Sequence, residues 1–295
     1  MAFLDHGAAG AETRRAAPKG FAMINPPSDN RPAWCTGCGN FGILTVLDRA
    51  IEEAGVDRRR LVLVSGIGQA AKLPHYTRAN VFNGLHGRAL PAATGIKLAN
   101  HALEVVVTSG DGDMYGEGGN HFLHALRRNI GIKMFVHNNQ VYGLTKGQAS
   151  PTSDEGFVTK FQTHGVILRP FNPLAIAIVE DCSFVARSFV GAPEHLKAMM
   201  VAALKHRGGT ALLDILQPCI TFNRRNTWAW YRERCKPIDD SHDPTDKMKA
   251  LELAMKWDGG IPIGLFYRSD RPTFESQQPV LARGTLVEQF AKAAV

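Results

Sequence analysis

A membrane span is the first thing missing from the sequence: none of its apolar runs approaches the roughly eighteen residues that a bilayer-crossing helix requires. The first 25 residues, MAFLDHGAAGAETRRAAPKGFAMIN, hold no apolar segment of the signal-peptide kind, so a soluble, cytoplasmic protein with no membrane partner is expected. Internal repeats and low-complexity tracts are missing too, which excludes a solenoid. Cysteine is sparse and odd in number, five residues at 35, 38, 182, 219 and 235, and this argues against a disulfide framework. Basic residues outnumber acidic ones by 34 to 27, giving a formal charge of +7. They fall in short clusters (Arg58 to Arg60, Arg127 with Arg128, Arg224 with Arg225) without interleaved aromatics, so nucleic acid is not expected as a partner. An anionic cofactor or an acidic protein surface accounts for the charge equally well.

What is present is enough apolar sequence, 44%, to bury a sizeable core. Strand-like runs at 61–65, 105–109, 133–137, 184–189 and 211–216 are mostly separated by amphipathic helix-like segments at 42–53, 90–100, 119–129, 173–180 and 194–206. That alternation predicts an α/β fold: a doubly wound, mostly parallel sheet with helices on both faces. The small, polar residues 1–25 read as an arm, 26–226 as the main domain, and 227–295 as a C-terminal extension. Within the extension, TWAWYRERCKPIDD reads as a docking segment, followed by a helix at 245–257 and a short strand, IPIGLFY.

Directly after one strand-like run stands GDGDMYGEGGN, residues 110–120. Asp111 lies just past that strand and Asn139 just past the next, 28 residues on, the length of one strand-helix-strand unit. In a parallel unit both would reach the same sheet edge, where ligands of such sheets bind. A hard cation of the magnesium type wants about six oxygens. Asp111, the Asn139 side-chain carbonyl and a backbone carbonyl such as that of Val141 supply three, which two diphosphate oxygens and a water would complete. The glycines would let the backbone approach the phosphates closely. An isolated GDG is more often a turn, but the pair at this spacing favours the cation.

These residues carry a resemblance. GDG followed by NN at this interval resembles the thiamine diphosphate-binding motif. The wider run, SGIG, GLHGRALPAATGIKLAN, GDGDMYGEGGNHFLHALRRN, NNQVYGLTKGQASPTS and QPCITFN, resembles the beta subunit of 2-oxoacid:ferredoxin oxidoreductases of the 2-oxoglutarate type, over about residues 31 to 235. The resemblance implies that Asp111, Asn139 and the Val141 carbonyl hold magnesium, and that Gly112, Asp113, Tyr142, Gly143, Leu144 and Thr145 surround the diphosphate. Ile67, Gly68 and His86 would line the cofactor pocket, and Lys72 and Lys146 the substrate and diphosphate side. A 2-oxo acid brings a carboxylate to a site that already holds a diphosphate, so lysines there would offset repulsion. The implied activity is coenzyme A-dependent oxidative decarboxylation of a 2-oxo acid, 2-oxoglutarate to succinyl-CoA, or its reverse, with electrons leaving through an iron-sulfur cluster to ferredoxin. An alpha subunit would bring the pyrimidine-binding half, with its glutamate, and the coenzyme A-facing domains, in a heterodimer or a dimer of heterodimers.

The cysteines bear on the electron route. WCTGCGN places Cys35 and Cys38 in a glycine-rich C-x-x-C turn of the kind that holds iron-sulfur clusters or zinc, or acts as a redox dithiol. Cys219 follows the strand at 211–216 and should share the edge with Asp111, whereas Cys182 precedes its strand and reads as a buried structural residue. Family members carry a further cysteine directly after SGIG, where this chain has Gln69, whose amide oxygen is a poor ligand for iron. Cys35, Cys38 and Cys219 thus make three ligands of a 4Fe-4S cluster. The fourth place is open to Cys235, a non-cysteine ligand, a three-iron cluster or no cluster. A non-redox thiamine enzyme, a non-catalytic binding subunit and a zinc-bearing module are the competing readings.

Overall fold

The computed structural model describes residues 30–294, so the arm expected over 1–25 lies outside the described residues. In chain order the strands are β1 (Leu61–Ser65), β2 (Asn80–Asn83), β3 (Glu104–Gly110), β4 (Ile132–Asn138), β5 (Phe184–Phe189), β6 (Ala211–Leu216), β7 (Cys235–Pro237) and β8 (Ile261–Arg268). The helices are α1 (Gly39–Glu53), α2 (Ala89–Ala99), α3 (Gly119–Arg128), α4 (Pro173–Val179), α5 (Pro193–Lys205), α6 (Trp228–Arg234), α7 (Lys247–Ala254) and α8 (Leu286–Ala293). The strands form one eight-stranded sheet in the order β2-β1-β3-β4-β6-β5-β8-β7.

Strands β1 to β6 pair in parallel, and β8 turns antiparallel against β5. Runs such as LVLVS and the centre of EVVVTSG are buried along their length, as a sheet covered on both faces demands. On one face α1 and α5 pack Leu47, Ile51, Leu196 and Met200 against the sheet. On the other, α2, α3, α4 and α7 bring Leu90, Phe122, Leu174 and Ala250. The doubly wound, mostly parallel architecture is therefore present.

Two strands were not legible. β2 reads NVFN and is exposed throughout, with no buried face to impose alternation, and β7 has only three residues. The segment 227–240 also holds a helix, α6. Its Tyr231 is fully buried, and the ring lies 5.4 Å from that of Phe189. Residues 227–295 thus contribute β7 and β8 to the same sheet. Among the described residues no helix is long and apolar enough to cross a membrane.

Tyr231 also ties α6 to the loop that follows β4. Its hydroxyl donates to Gln140 Oε1 at 2.6 Å, while Gln140 Nε2 donates to the Thr152 carbonyl at 2.8 Å. Tyr231→Phe would leave a buried amide oxygen unpaired, at a cost of about 1–3 kcal/mol. Thermal unfolding should show a lower midpoint; an unchanged midpoint would contradict the tie.

Candidate cofactor site

The carboxyl ends of β1, β3, β4 and β6 share one edge of the sheet, and the motif residues lie there. Asp111 follows β3 and is 1% exposed. Its Oδ2 accepts from Ser150 Oγ at 2.5 Å and from Thr152 Oγ1 at 2.7 Å. Both hydroxyls take the same oxygen, which leaves Oδ1 available to a cation. Burial pushes the carboxyl up to about 6, against the pull of the two hydroxyls. The carboxylate accepts hydroxyl and backbone N–H donors but has no cationic partner among the described residues, a donor set that fits a divalent cation.

Asn139 follows β4 and is half-buried, and its Oδ1 accepts the Val141 N–H at 3.1 Å. Gln140, between them, takes a left-handed backbone with φ of 56°, bending the chain so that Asn139 and Val141 meet. The chain then closes a turn through Tyr142 N–H to the Gln148 carbonyl at 2.8 Å, leaving Leu144, Thr145 and Lys146 exposed. Gly112 packs against this turn: a Cβ there would stand 2.1 Å from the Tyr142 ring. The Tyr142 hydroxyl donates to Glu117 at 3.0 Å, and burial, followed by the Glu117 charge, pushes its pKa up.

Asp113, which the resemblance sets beside the diphosphate, directs its carboxylate into the protein. Its Oδ1 accepts the N–H groups of Ile67 at 3.1 Å and Gly87 at 2.7 Å and lies 2.7 Å from His86 Nδ1, while Oδ2 accepts from Ser109 Oγ at 2.5 Å. It therefore fastens the loops after β1 and β2 to the wide helical turn Gly112–Glu117. Gly66 is required for this, because a Cβ would fall 2.2 Å from the Asp113 carboxylate. Gly68 sits in the first of those loops with φ of 131°. His86 Nε2 faces Glu117 at 3.0 Å.

The lysines stand further out. Lys72 Nζ donates to the Ala33 carbonyl at 3.4 Å, and Lys146 sits in the exposed turn at φ of 72°. No hydrogen bond or ion pair joins either of them to Asp111 or Asn139 among the described residues.

Cys35, Cys38 and Cys219 line one small cavity of about 40 Å³ with Gln69, Gln217, Asn139 and Gly143. Burial first, then the neighbouring cysteines, pushes the Cys38 thiol up to about 11, and Gln217 Nε2 donates to its sulfur at 3.7 Å. The amide oxygens of Gln69 and Gln217 are buried without a hydrogen-bond partner. The three cysteines line a common space, and thiolates are the ligand type that iron prefers. Even so, no three Cys, His, Asp or Glu side chains among the described residues already stand at metal-ligand spacing. Cys235 lies on β7, paired with Ile261 at the far side of the sheet, and does not line this cavity. Cys182 is fully buried, donates to the Thr210 carbonyl at 3.3 Å, and is pushed by burial up to about 12.

Sequence reasoning missed Ser150, Thr152, Glu117 and Gln217. Ser150 and Thr152 reach Asp111 only because the loop after β4 folds back, and small hydroxyl residues flanking Pro151 give no periodic signal. In the loops at this edge Ile67, Leu85 and Leu144 are exposed, as are Val81 and Phe82 on β2.

Residues 66–215 match the family described as thiamine pyrophosphate enzyme, C-terminal TPP binding domain, and residues 219–283 match the C terminal of the pyruvate ferredoxin oxidoreductase beta subunit. The chain is 48% identical over 250 residues to the beta subunit of a 2-oxoacid:ferredoxin oxidoreductase from Saccharolobus solfataricus, covering 80% of this chain and 82% of that one. It is 41% identical over 236 residues to the 2-oxoglutarate oxidoreductase subunit KorB of Mycobacterium tuberculosis, covering 80% of this chain and 59% of KorB. Its fold matches a solved 2-oxoglutarate:ferredoxin oxidoreductase from Magnetococcus marinus, with 2-oxoglutarate, coenzyme A and succinyl-CoA bound, at a TM-score of 0.84. The identity is 34%, with 94% of this chain and 98% of that one covered. A thiamine diphosphate fold with Asp111 and Asn139 at its ligand edge, followed by the match over 219–283, places this chain in the family of 2-oxoacid:ferredoxin oxidoreductase beta subunits.

Proposed function

We propose that the chain is the diphosphate-binding half of an enzyme that oxidatively decarboxylates 2-oxoglutarate to succinyl-CoA, or runs the reverse, and passes electrons to ferredoxin. The observation that carries this reading is the sharing of Asn139 and Gly143 between the cation edge and the cysteine cavity. One turn of backbone separates the place of decarboxylation from the place where electrons would be collected. Relatives named for 2-oxoglutarate support the choice of substrate.

Bound thiamine diphosphate supplies the carbanion chemistry, magnesium the anchor for its diphosphate, and a cluster the one-electron steps. The rest falls to this chain. Asp111 Oδ1, the Asn139 amide oxygen and the Val141 carbonyl would hold the cation, while Ser150 and Thr152 keep Asp111 oriented. Gly112 and the 142–145 turn would offer backbone N–H groups to the diphosphate. Asp113 holds together the Ile67–Gly68 and His86 loops, which would line the cofactor pocket. Lys72 and Lys146 would meet the substrate carboxylate after a side-chain movement. The exposed apolar side chains of Ile67, Leu85 and Leu144 would meet an alpha subunit that brings the pyrimidine-binding half, the glutamate and the coenzyme A-facing domains, in a heterodimer or dimer of heterodimers.

Gln69 in the cysteine cavity favours one second reading, a beta subunit whose cluster has been lost or reduced to three irons.

Two outcomes follow. Asp111→Asn in the assembled complex should lower thiamine diphosphate retention after gel filtration by at least about tenfold, because the one charged ligand of the three loses its charge. Retention by the wild type should weaken as pH falls through about 6, where protons compete for the raised carboxyl. Undiminished occupancy in the variant would sink the assignment. For the cluster, anaerobic wild type should hold iron with one labile site, giving a three-iron EPR signal on brief exposure to air, and Gln69→Cys should suppress that signal. Iron-free wild type would favour the second reading.

A further inference from the structure

A second cavity, of about 540 Å³, is lined by Asn138 and Thr152 and by residues of α4, α6, α7 and strand β5. None of the thiamine-site residues named from the sequence lines it. Its floor is Arg187, on β5 and 3% exposed. The guanidinium is set 5.5 Å from the Trp257 ring and 5.6 Å from the Phe266 ring, and Nε donates to Asp214 Oδ2 at 3.3 Å. Its Nη1 is buried without any hydrogen-bond partner. A buried guanidinium held by one long bond is an expensive arrangement unless an acceptor completes it.

The walls carry three more guanidinium groups. Arg234 lies 4.7 Å over Trp230 and 3.2 Å from the Glu233 carboxylate, Arg225 is 3.6 Å from Asp154, and Arg169 forms no ion pair among the described residues. The acids of the cavity are Asp154, Glu155 and Asp258. Asp154 is already taken up by Gln140 at 3.1 Å and Asn226 at 2.9 Å. The volume is that of a metabolite site, and a planar fork of donors suits carboxylate and phosphate.

The cavity is wired to the cation edge. Asn138 Nδ2 donates to Asp214 Oδ1 at 3.1 Å, and Thr152 Oγ1 stands 2.9 Å from Asn138 Oδ1 and 2.7 Å from Asp111 Oδ2. One hydroxyl hydrogen faces two acceptors, so what draws on Arg187 and Asp214 bears, through Asn138, on which of them Thr152 serves.

We propose that this cavity binds a small anionic metabolite of the carboxylate or phosphate type, with Arg187 as the buried anchor, and that its occupancy alters the affinity of the thiamine site. Anion binding stands independently of the proposed function; only the linkage rests on it.

The test is calorimetric titration of the chain complexed with its alpha subunit, using citrate, inorganic pyrophosphate and ADP as probes in parallel. At least one should bind below about 1 mM. Carboxylate and phosphate sources are told apart by which probe is stronger. Arg169→Gln and Arg234→Gln, both at the accessible wall, should each weaken binding about tenfold. Arg187→Met with Asp214→Asn, which removes both buried charges together, should abolish it. Saturating probe should shift the thiamine diphosphate dissociation constant several-fold, and the reverse titration should shift by the same factor. No binding of any probe at about 10 mM, or binding indifferent to all these variants, would overturn the site. Probe binding with an unmoved thiamine diphosphate constant would overturn the linkage. If the complex takes up no thiamine diphosphate at all, the functional reading fails while the titration still reports on the cavity.

Discussion

Parallel pairing of β3 with β4, in a register that sets Val107 opposite Met134 and Gly110 opposite His137, is the constraint on which the site depends. It ends both strands on one edge, and the residues that follow, Asp111 and Asn139, arrive there together. The same pairing runs outward to β1 and β6, which deliver the Ile67–Gln69 loop and Cys219. Because these strands are buried on both faces, the register cannot slip without moving apolar side chains into strained positions, so the edge is held by the core. The α1 start is brought to the same edge by Asn40, whose Oδ1 lies 2.8 Å from His137 Nδ1, and this sets the C-x-x-C turn beside Cys219.

Within that frame the two acids of GDGD divide the labour. Asp111 is buried, accepts two hydroxyls on one carboxylate oxygen, has no cationic side chain beside it among the described residues, and is pushed up in pKa by burial. Asp113 is buried and saturated, and serves to bind two loops into one wall. A sequence shows both as equivalent acids two residues apart. Which one turns inward depends on the helical turn at Gly112–Glu117 and on the absence of a side chain at Gly66, and neither has a periodic signature.

The five central strands were legible because a strand covered on both faces must be continuously apolar, and runs such as EVVVTSG have no other reading of that length. The placement of Asp111 and Asn139 at one sheet edge was legible because strand-helix-strand spacing fixes where strand ends fall. Edge strand β2 was not, since an exposed NVFN carries no burial constraint. Ser150 and Thr152 were not, because their role depends on a loop returning across the sheet edge. Arg187 sat unnoticed inside an apolar strand, FVARSF, where its charge is matched by Asp214 on the adjacent strand β6, a pairing visible only once the strands are side by side.

The proposed division of catalysis between this chain and an alpha subunit is the claim most open to trial. Coenzyme A-dependent viologen reduction with 2-oxoglutarate, measured for the purified chain alone and for the chain coexpressed with an alpha subunit, tests it directly. Turnover is expected only in the assembled pair, and robust turnover by the chain alone would contradict it.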